Sequence, residues 1–107
     1  MNIQFKKGVL GICVLALLDK KDRYGYELVR MISGQIEISE GAVYPLLRKL
    51  KKDGYLSTYS QESVEGPSRK YYRLTDEGRD YMHTMIREWN AFSKGVNQII
   101  EEGISGE

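Results

Sequence analysis

Apolar residues recur along this chain in several distinct rhythms, and each rhythm predicts one kind of element. Between Gly8 and Leu18 the residues Val9, Leu10, Ile12, Cys13, Val14, Leu15, Leu17 and Leu18 leave little room for a polar face. A helix apolar nearly all round is buried on more than one side, and Cys13 within it reads as a small buried hydrophobe rather than a nucleophile. Asp22 is placed to cap a second helix running to Ser33, with Leu28, Val29 and Ile32 as its apolar face and Gly34 as the residue that stops it. Ile36 and Ile38 alternate with Gln35 and Glu37, a pattern that permits a very short strand. Ser39 is placed to cap a third helix, where Val43, Leu46, Leu47 and Leu50 follow the i, i+3, i+4, i+7 rule of a single buried face. Pro45 cannot donate a backbone hydrogen bond, so a bend is expected near it, and Asp53-Gly54 ends the helix.

Tyr55 to Ser60 and Lys70 to Leu74 are rich in Tyr, Leu and Thr and read as two strands. The intervening stretch, residues 61–69, carries Gly66-Pro67 and reads as a long hairpin loop with a basic exit. Thr75 is placed to cap the last helix, with Asp76 and Glu77 in a first turn whose positive dipole end favours them. That helix is expected to run to about Glu102. Met82, Met85, Trp89, Phe92, Val96 and Ile99 repeat along it at alternating steps of three and four, the spacing of a heptad seam. Three helices followed by a two-stranded hairpin describe a winged helix-turn-helix. The fold expected is α+β, mainly α, with residues 1–75 forming the winged unit and residues 76–107 an added C-terminal helix. Little domain remains to cover the seam, so a second copy of the chain is its natural cover and a homodimer is expected.

Composition narrows the chemistry. A chain of 107 residues is one small domain or one domain plus a long extra element. Cys13 is the only cysteine and His83, expected to be exposed, the only histidine. Within this sequence that excludes an internal disulfide, a cysteine-built zinc site and a multi-histidine metal site. No metal and no cofactor is expected, and an enzyme is a remote reading because no nucleophile, base or metal cluster assembles. Phe5-Lys6-Lys7 ahead of the Ile12 to Leu18 stretch has the outline of a signal peptide. Asp19-Lys20-Lys21-Asp22-Arg23 then stands where a cleavage site would need small residues. No apolar run reaches the roughly 18 residues of a membrane helix, so a cytoplasmic protein with no membrane partner is expected. Net charge is only +1, but residues 1–39 carry +2, residues 40–75 carry +3 and residues 76–107 carry −4. A basic middle joined to an acidic tail suggests a polyanionic partner for the middle.

The candidate chemistry sits in that middle. The third helix offers small residues at its start, Gly41 and Ala42 beside the capping Ser39, then Pro45 with Tyr44 at its flank, and cations beyond at Arg48, Lys49 and Lys52. Small residues let a helix enter a major groove closely, and Arg and Lys then reach base edges or phosphates; the same face could equally be a solvated charged surface. The hairpin exit, Ser68-Arg69-Lys70, suits a wing lying along phosphates, and its coincidence with the third helix in the right order favours DNA over a plain loop. Tyr24, Tyr26, Tyr44, Tyr71 and Tyr72 lie near these elements, where a phenol can bond phosphate, and at least half of the eight tyrosines are expected in the core. Trp89 sits mid-seam, where two partner helices would bring two indoles together: either interface packing or a flat pocket for a planar ligand.

Three motifs in order resemble the PadR-type transcriptional regulators. Leu15-Ala16-Leu17-Leu18 followed by Tyr24-Gly25-Tyr26-Glu27-Leu28 is similar to the family's opening motif. Gly41 to Leu50 with Asp53-Gly54 resembles its recognition helix, and Arg69 to Thr75 with Gly78 its wing and the start of its last helix. The single short C-terminal helix resembles the smaller members. Lys49 and Lys51 stand where family members often have Arg and Glu, which makes this helix more basic. The resemblance implies a winged-helix homodimer repressing promoters through a palindromic operator. Gly41, Tyr44, Pro45, Arg48 and Lys49 would be recognition residues and Arg69 and Lys70 wing contacts. It also implies sensing of phenolic acids or of planar drugs at the dimer interface, where Trp89 would stack a ligand and Phe5, Ile12, Ile86 and Ser93 would line the pocket. The expectation is thus a DNA-binding regulator, a homodimer on double-stranded operator DNA, with release by a small planar aromatic or phenolic molecule as what the resemblance adds. The alternative is a winged-helix protein–protein interaction module that does not bind DNA.

Overall fold

Leucines and valines crowd the chain from residue 9 onward, and in the computed structural model they draw it into α1 (Ile3–Lys20). The structure describes residues 3–63 and 66–105, and the side chains of all of these but residues 3–7, 40 and 63. After α1 come β1 (Arg23–Tyr24), α2 (Gly25–Ser33), one 3₁₀ turn (Glu40–Ala42), α3 (Val43–Lys52), β2 (Leu56–Ser63), β3 (Gly66–Leu74) and α4 (Asp76–Ile104). β3 is the middle strand of an antiparallel sheet of order β1-β3-β2. Leu10, Val14, Leu15 and Leu18 of α1 meet Leu28, Val29 and Ile32 of α2 and Val43, Leu47 and Leu50 of α3. Leu56, Tyr72 and Leu74 of the sheet and Met82 of α4 close this core. The expected winged helix-turn-helix with a long last helix is the fold observed.

Several boundaries differ from the sequence expectation, each for a physical reason. α1 begins at Ile3 rather than Gly8, because the residues ahead of the apolar run tolerate a helix without carrying any periodic signal. Asp22 does not cap α2. Arg23 and Tyr24 pair instead with Tyr72 and Tyr71 of β3, and Tyr24 holds the cap position with no side-chain bond. Residues 36–38 form no strand; the amides of Gln35 and Ile36 turn back to the Ile32 carbonyl, and Ile38 packs at the edge of the core. Ser39 precedes the 3₁₀ turn, its carbonyl accepting from the Ala42 amide at 3.1 Å, but its side chain bonds none of the first amides. Pro45 is the third residue of α3, where a backbone N–H has no intrahelical acceptor to lose, so the irregularity is the 3₁₀-to-α junction just before it.

Two glycines carry real constraints. Gly34 ends α2 in ordinary right-handed conformation, with φ −69°. Gly54 is the one with φ +88°. The Tyr55 amide reaches back to the Leu50 carbonyl and the Gly54 amide to that of Lys51, each at 3.0 Å; this double closure needs a left-handed residue at C′. At Gly78 a side chain has no room, since a Cβ would run into the Tyr55 carbonyl and lie 2.8 Å from Leu74 Cδ1. The first turn of α4 is thereby pressed onto the start of the wing. Thr75 caps it as expected: its Oγ1 accepts from the Gly78 amide at 2.9 Å and donates to the Gly54 carbonyl at 2.8 Å. Arg23 is the buried charge, only 7% exposed. Its Nε donates to the Leu17 carbonyl at 2.9 Å and its Nη1 pairs with Glu27 at 3.2 Å, so one guanidinium ties the end of α1 to the start of α2.

The wing is longer and its loop shorter than expected. Strand pairing runs out to Ser63 and Gly66, with an irregularity between Gln61 and Ser63. Both faces of the arm's far end are solvated, so its sequence has no alternation to announce a strand. α4 ends at Ile104, close to the expected Glu102.

Candidate nucleic-acid interface

The sheet register sorts the wing's side chains into two rows. Tyr24, Tyr71 and Tyr59 are cross-strand partners on one face, with neighbouring ring centroids 5.7 and 5.5 Å apart. Arg69 lies over the Tyr24 ring at 4.6 Å and Arg73 over Tyr59 at 5.9 Å. The Tyr59 hydroxyl donates to Asp22 at 2.8 Å, and that hydrogen bond holds its pKa above the usual phenol value. Arg23, Tyr72 and Thr58 form the opposite row. There Tyr72 is buried against the helices with Lys70 Nζ 5.7 Å from its ring centre. Burial, and secondarily Tyr44, raises the Tyr72 pKa, while Arg48 opposes them.

Where α2 begins, α3 and β3 come close enough to leave a notch of about 760 Å³. Of the expected site residues, it gathers Tyr24, Tyr44, Arg48, Arg69 and Lys70. It also takes in Tyr26 and Tyr72, two of the tyrosines expected near the DNA-side elements, and Gly25 and Arg30, which the sequence did not single out as contacts. No carboxylate lines it, and among the described residues none stands within ion-pair distance of Arg30, Arg48, Arg69 or Lys70. Gly25 is buried and lets the Tyr44 ring close onto the start of α2, because a Cβ there would stand 3.0 Å from that ring and 3.5 Å from that of Tyr72.

The remaining expected residues lie elsewhere. Ser39, Gly41, Ala42, Pro45 and Lys49 border a second hollow, about 820 Å³, on another side of α3. Its walls are largely apolar: Leu10, Gly11 and Ile12 of α1 face Tyr81 and Met85 of α4. At its rim Lys49 pairs with Asp53 at 3.1 Å, and a Cβ on Gly41 would point into open space. Lys52 and Ser68 are exposed and border neither concavity. Along α4, Met82 is buried and Met85 and Trp89 are half-buried. Beyond them Phe92 is 60% and Ile99 71% exposed, with Val96, Ile100 and Ile104 also bare. Ile12 and Ile86 pack at the edge of the helices, and the half-buried Ser93 bonds the Asn90 carbonyl. The Phe5 side chain lies outside the described residues.

Three of the eight tyrosines, not half, belong to the core: Tyr72 within it and the stacked pair Tyr55 and Tyr81 at its edge, 4.1 Å apart. The others lie on the wing and the α2 and α3 surfaces, where cations stand over the rings of Tyr24, Tyr26 and Tyr59. Cys13 is half-buried, and burial pushes its thiol pKa up, away from nucleophilic use. His83 is exposed, as expected. Among the described residues no group of acidic, histidine or cysteine side chains could hold a metal ion, and no helix is long and apolar enough to cross a membrane.

Helix-turn-helix, wing and cation-lined notch define a winged-helix regulator, and the comparisons with known proteins agree. The profile of the Transcriptional regulator PadR-like family matches residues 14–84. The fold is similar to that of smu.1704 from Streptococcus mutans UA159, at TM-score 0.82 and 39% identity over 89% of each chain. It is also similar to a PadR-like transcriptional regulator from Bacillus cereus strain ATCC 14579, at TM-score 0.81 and 34% identity over 91% of this chain and 96% of that one. A PadR family transcription regulator from Clostridium difficile R20291 gives TM-score 0.77 and 32% identity over 85% and 97%. The chain belongs to the PadR-like family; it is a transcriptional regulator and not an enzyme.

Proposed function

We propose that this regulator works in the cytoplasm as a homodimer on double-stranded DNA, repressing transcription from a palindromic operator. The observation that carries the reading is the notch, where cations from α2, α3 and β3 converge with no carboxylate among its walls. A merely solvated face would interleave both signs of charge, whereas phosphate binding wants one sign. Each α3 enters a major groove led by the 3₁₀ turn before it, where Gly41 and Ala42 carry little side chain. Arg48, Lys49 and Lys52 reach base edges and phosphates, while Arg69 and Lys70 follow the backbone beside them. Half-sites then lie about one helical turn, roughly 34 Å, apart. The bare apolar residues of α4, from Phe92 to Ile104, support dimerisation, because a patch of that kind on a monomer is unusual. A planar aromatic or phenolic molecule held near Trp89, between α4 and the α1 residue Ile12, would act by preferring one spacing of the two reading heads.

Hydroxyl-radical footprinting of DNA upstream of the protein's own gene tests this. Two protected patches one helical turn apart on one face of the duplex are expected. Uniform cleavage at saturating protein, together with capture of a different protein through α4, would favour an interaction module instead.

A further inference from the structure

The start of α2 is an unusual helix end. Tyr24 stands in its cap position without bonding any of the first amides, and the first turn carries N–H groups with no intrahelical acceptor. Such groups, with the positive end of the helix dipole, ordinarily find a side-chain oxygen or an anion. Gly25 and Tyr26 of this turn line the notch. Tyr72 lines it too, from inside the core: it is only 6% exposed, and no hydrogen bond among the described residues engages its hydroxyl. No buried side-chain oxygen among the described residues lacks a partner, so the unpartnered Tyr72 hydroxyl is one that solvent reaches, and the notch it lines is where it can donate. Arg48 supplies a cation from the facing helix.

We propose that this notch seats one phosphodiester group of the DNA backbone, held by the first amides of α2, the Tyr72 hydroxyl and the Arg48 guanidinium. The inference rests on the DNA-binding reading above and adds a fixed contact to it. The phosphate sets how deep α3 sits in its groove, so Gly25 and Tyr72 act on register without touching a base. A lysine or arginine on a flexible stem could not fix that depth; a helix end and a core-anchored phenol can.

The test is phosphate-by-phosphate neutralisation of the upstream duplex with methylphosphonates, read by anisotropy with the wild-type protein and with Tyr72→Phe. The variant keeps the buried ring, and its melting curve is expected to stay near wild type. On unmodified DNA it should bind about tenfold more weakly on any sequence, the size of one hydrogen bond to a charged oxygen. Its salt slope should be unchanged, since no charge is removed. One neutralised position per half-site should cost the wild type affinity and cost Tyr72→Phe much less. If the duplex binds but every position penalises both proteins equally, the seat is wrong and the DNA reading stands. If wild type does not bind the unmodified duplex at all, both fall. A titration with inorganic phosphate alone completes the test by following the Gly25 and Tyr26 amide resonances. Shifts that the duplex abolishes support the seat; shifts that persist with DNA bound would mean a site for free anions and overturn it.

Discussion

At Gly78 a single hydrogen atom decides whether α4 can dock. The Tyr55 carbonyl occupies the place a methyl would need and already accepts the Thr75 amide at 3.1 Å. Gly78→Ala must therefore push the helix from the wing, at an expected cost of about 1–3 kcal/mol. Urea denaturation measures it, and a stability equal to wild type would mean the contact yields freely. Tyr72 gives the pH counterpart. Its raised pKa means the fold favours the neutral phenol, so its contribution is whole below the ordinary tyrosine range and is lost as pH climbs through the raised value. Thermal melts from neutral to alkaline pH should show a fall that Tyr72→Phe partly removes. Neither constraint was legible in the sequence, because each depends on an atom brought from far along the chain. What could be read was local: the Thr75 cap and the stop at Asp53-Gly54 need only their immediate neighbours. Arg23 is the clearest loss, a charged residue in a charged run that gave no sign of being buried.

Among the elements, helices were legible and strands only partly. The i, i+3, i+4 pattern of α3 and the steps of α4 are properties of one segment. β1 is two residues long and exists only because β3 offers it acceptors, so nothing within Arg23–Tyr24 could announce it. The candidate site divides in the same way. Arg48, Arg69 and Lys70 are legible as cations on α3 and the wing and Tyr72 as a phenol beside them, while Arg30 and Gly25 enter only where α2, α3 and β3 converge. Lys49, read on the same helical face as Arg48, and Ser39, read as the cap of that helix, border the other hollow. The wing's part is testable by itself. Lys70→Ala should weaken binding to all DNA sequences alike and lower the log–log salt slope by about one unit. An unchanged slope would take Lys70 off the phosphate.

For the whole molecule the long last helix matters most. The chain extends 62 Å along its longest axis and 27 and 21 Å along the others, and α4 carries Phe92, Ile99 and Ile104 bare. A second copy is the cover proposed for them. Ile99→Glu places a charge on that face without touching the core, so the variant should stay folded and sediment as a monomer. A dimer that survives it would move the interface elsewhere. Two reading heads held by such a seam are what the operator reading requires, and binding to DNA tests the account most directly. The measurement is fluorescence anisotropy on DNA from upstream of the protein's own gene, with a scrambled duplex as control, over a salt series. The account predicts tight binding that prefers the upstream DNA, weakens steeply as salt rises and saturates at one dimer per site. No binding to either duplex even at the lowest salt would contradict it.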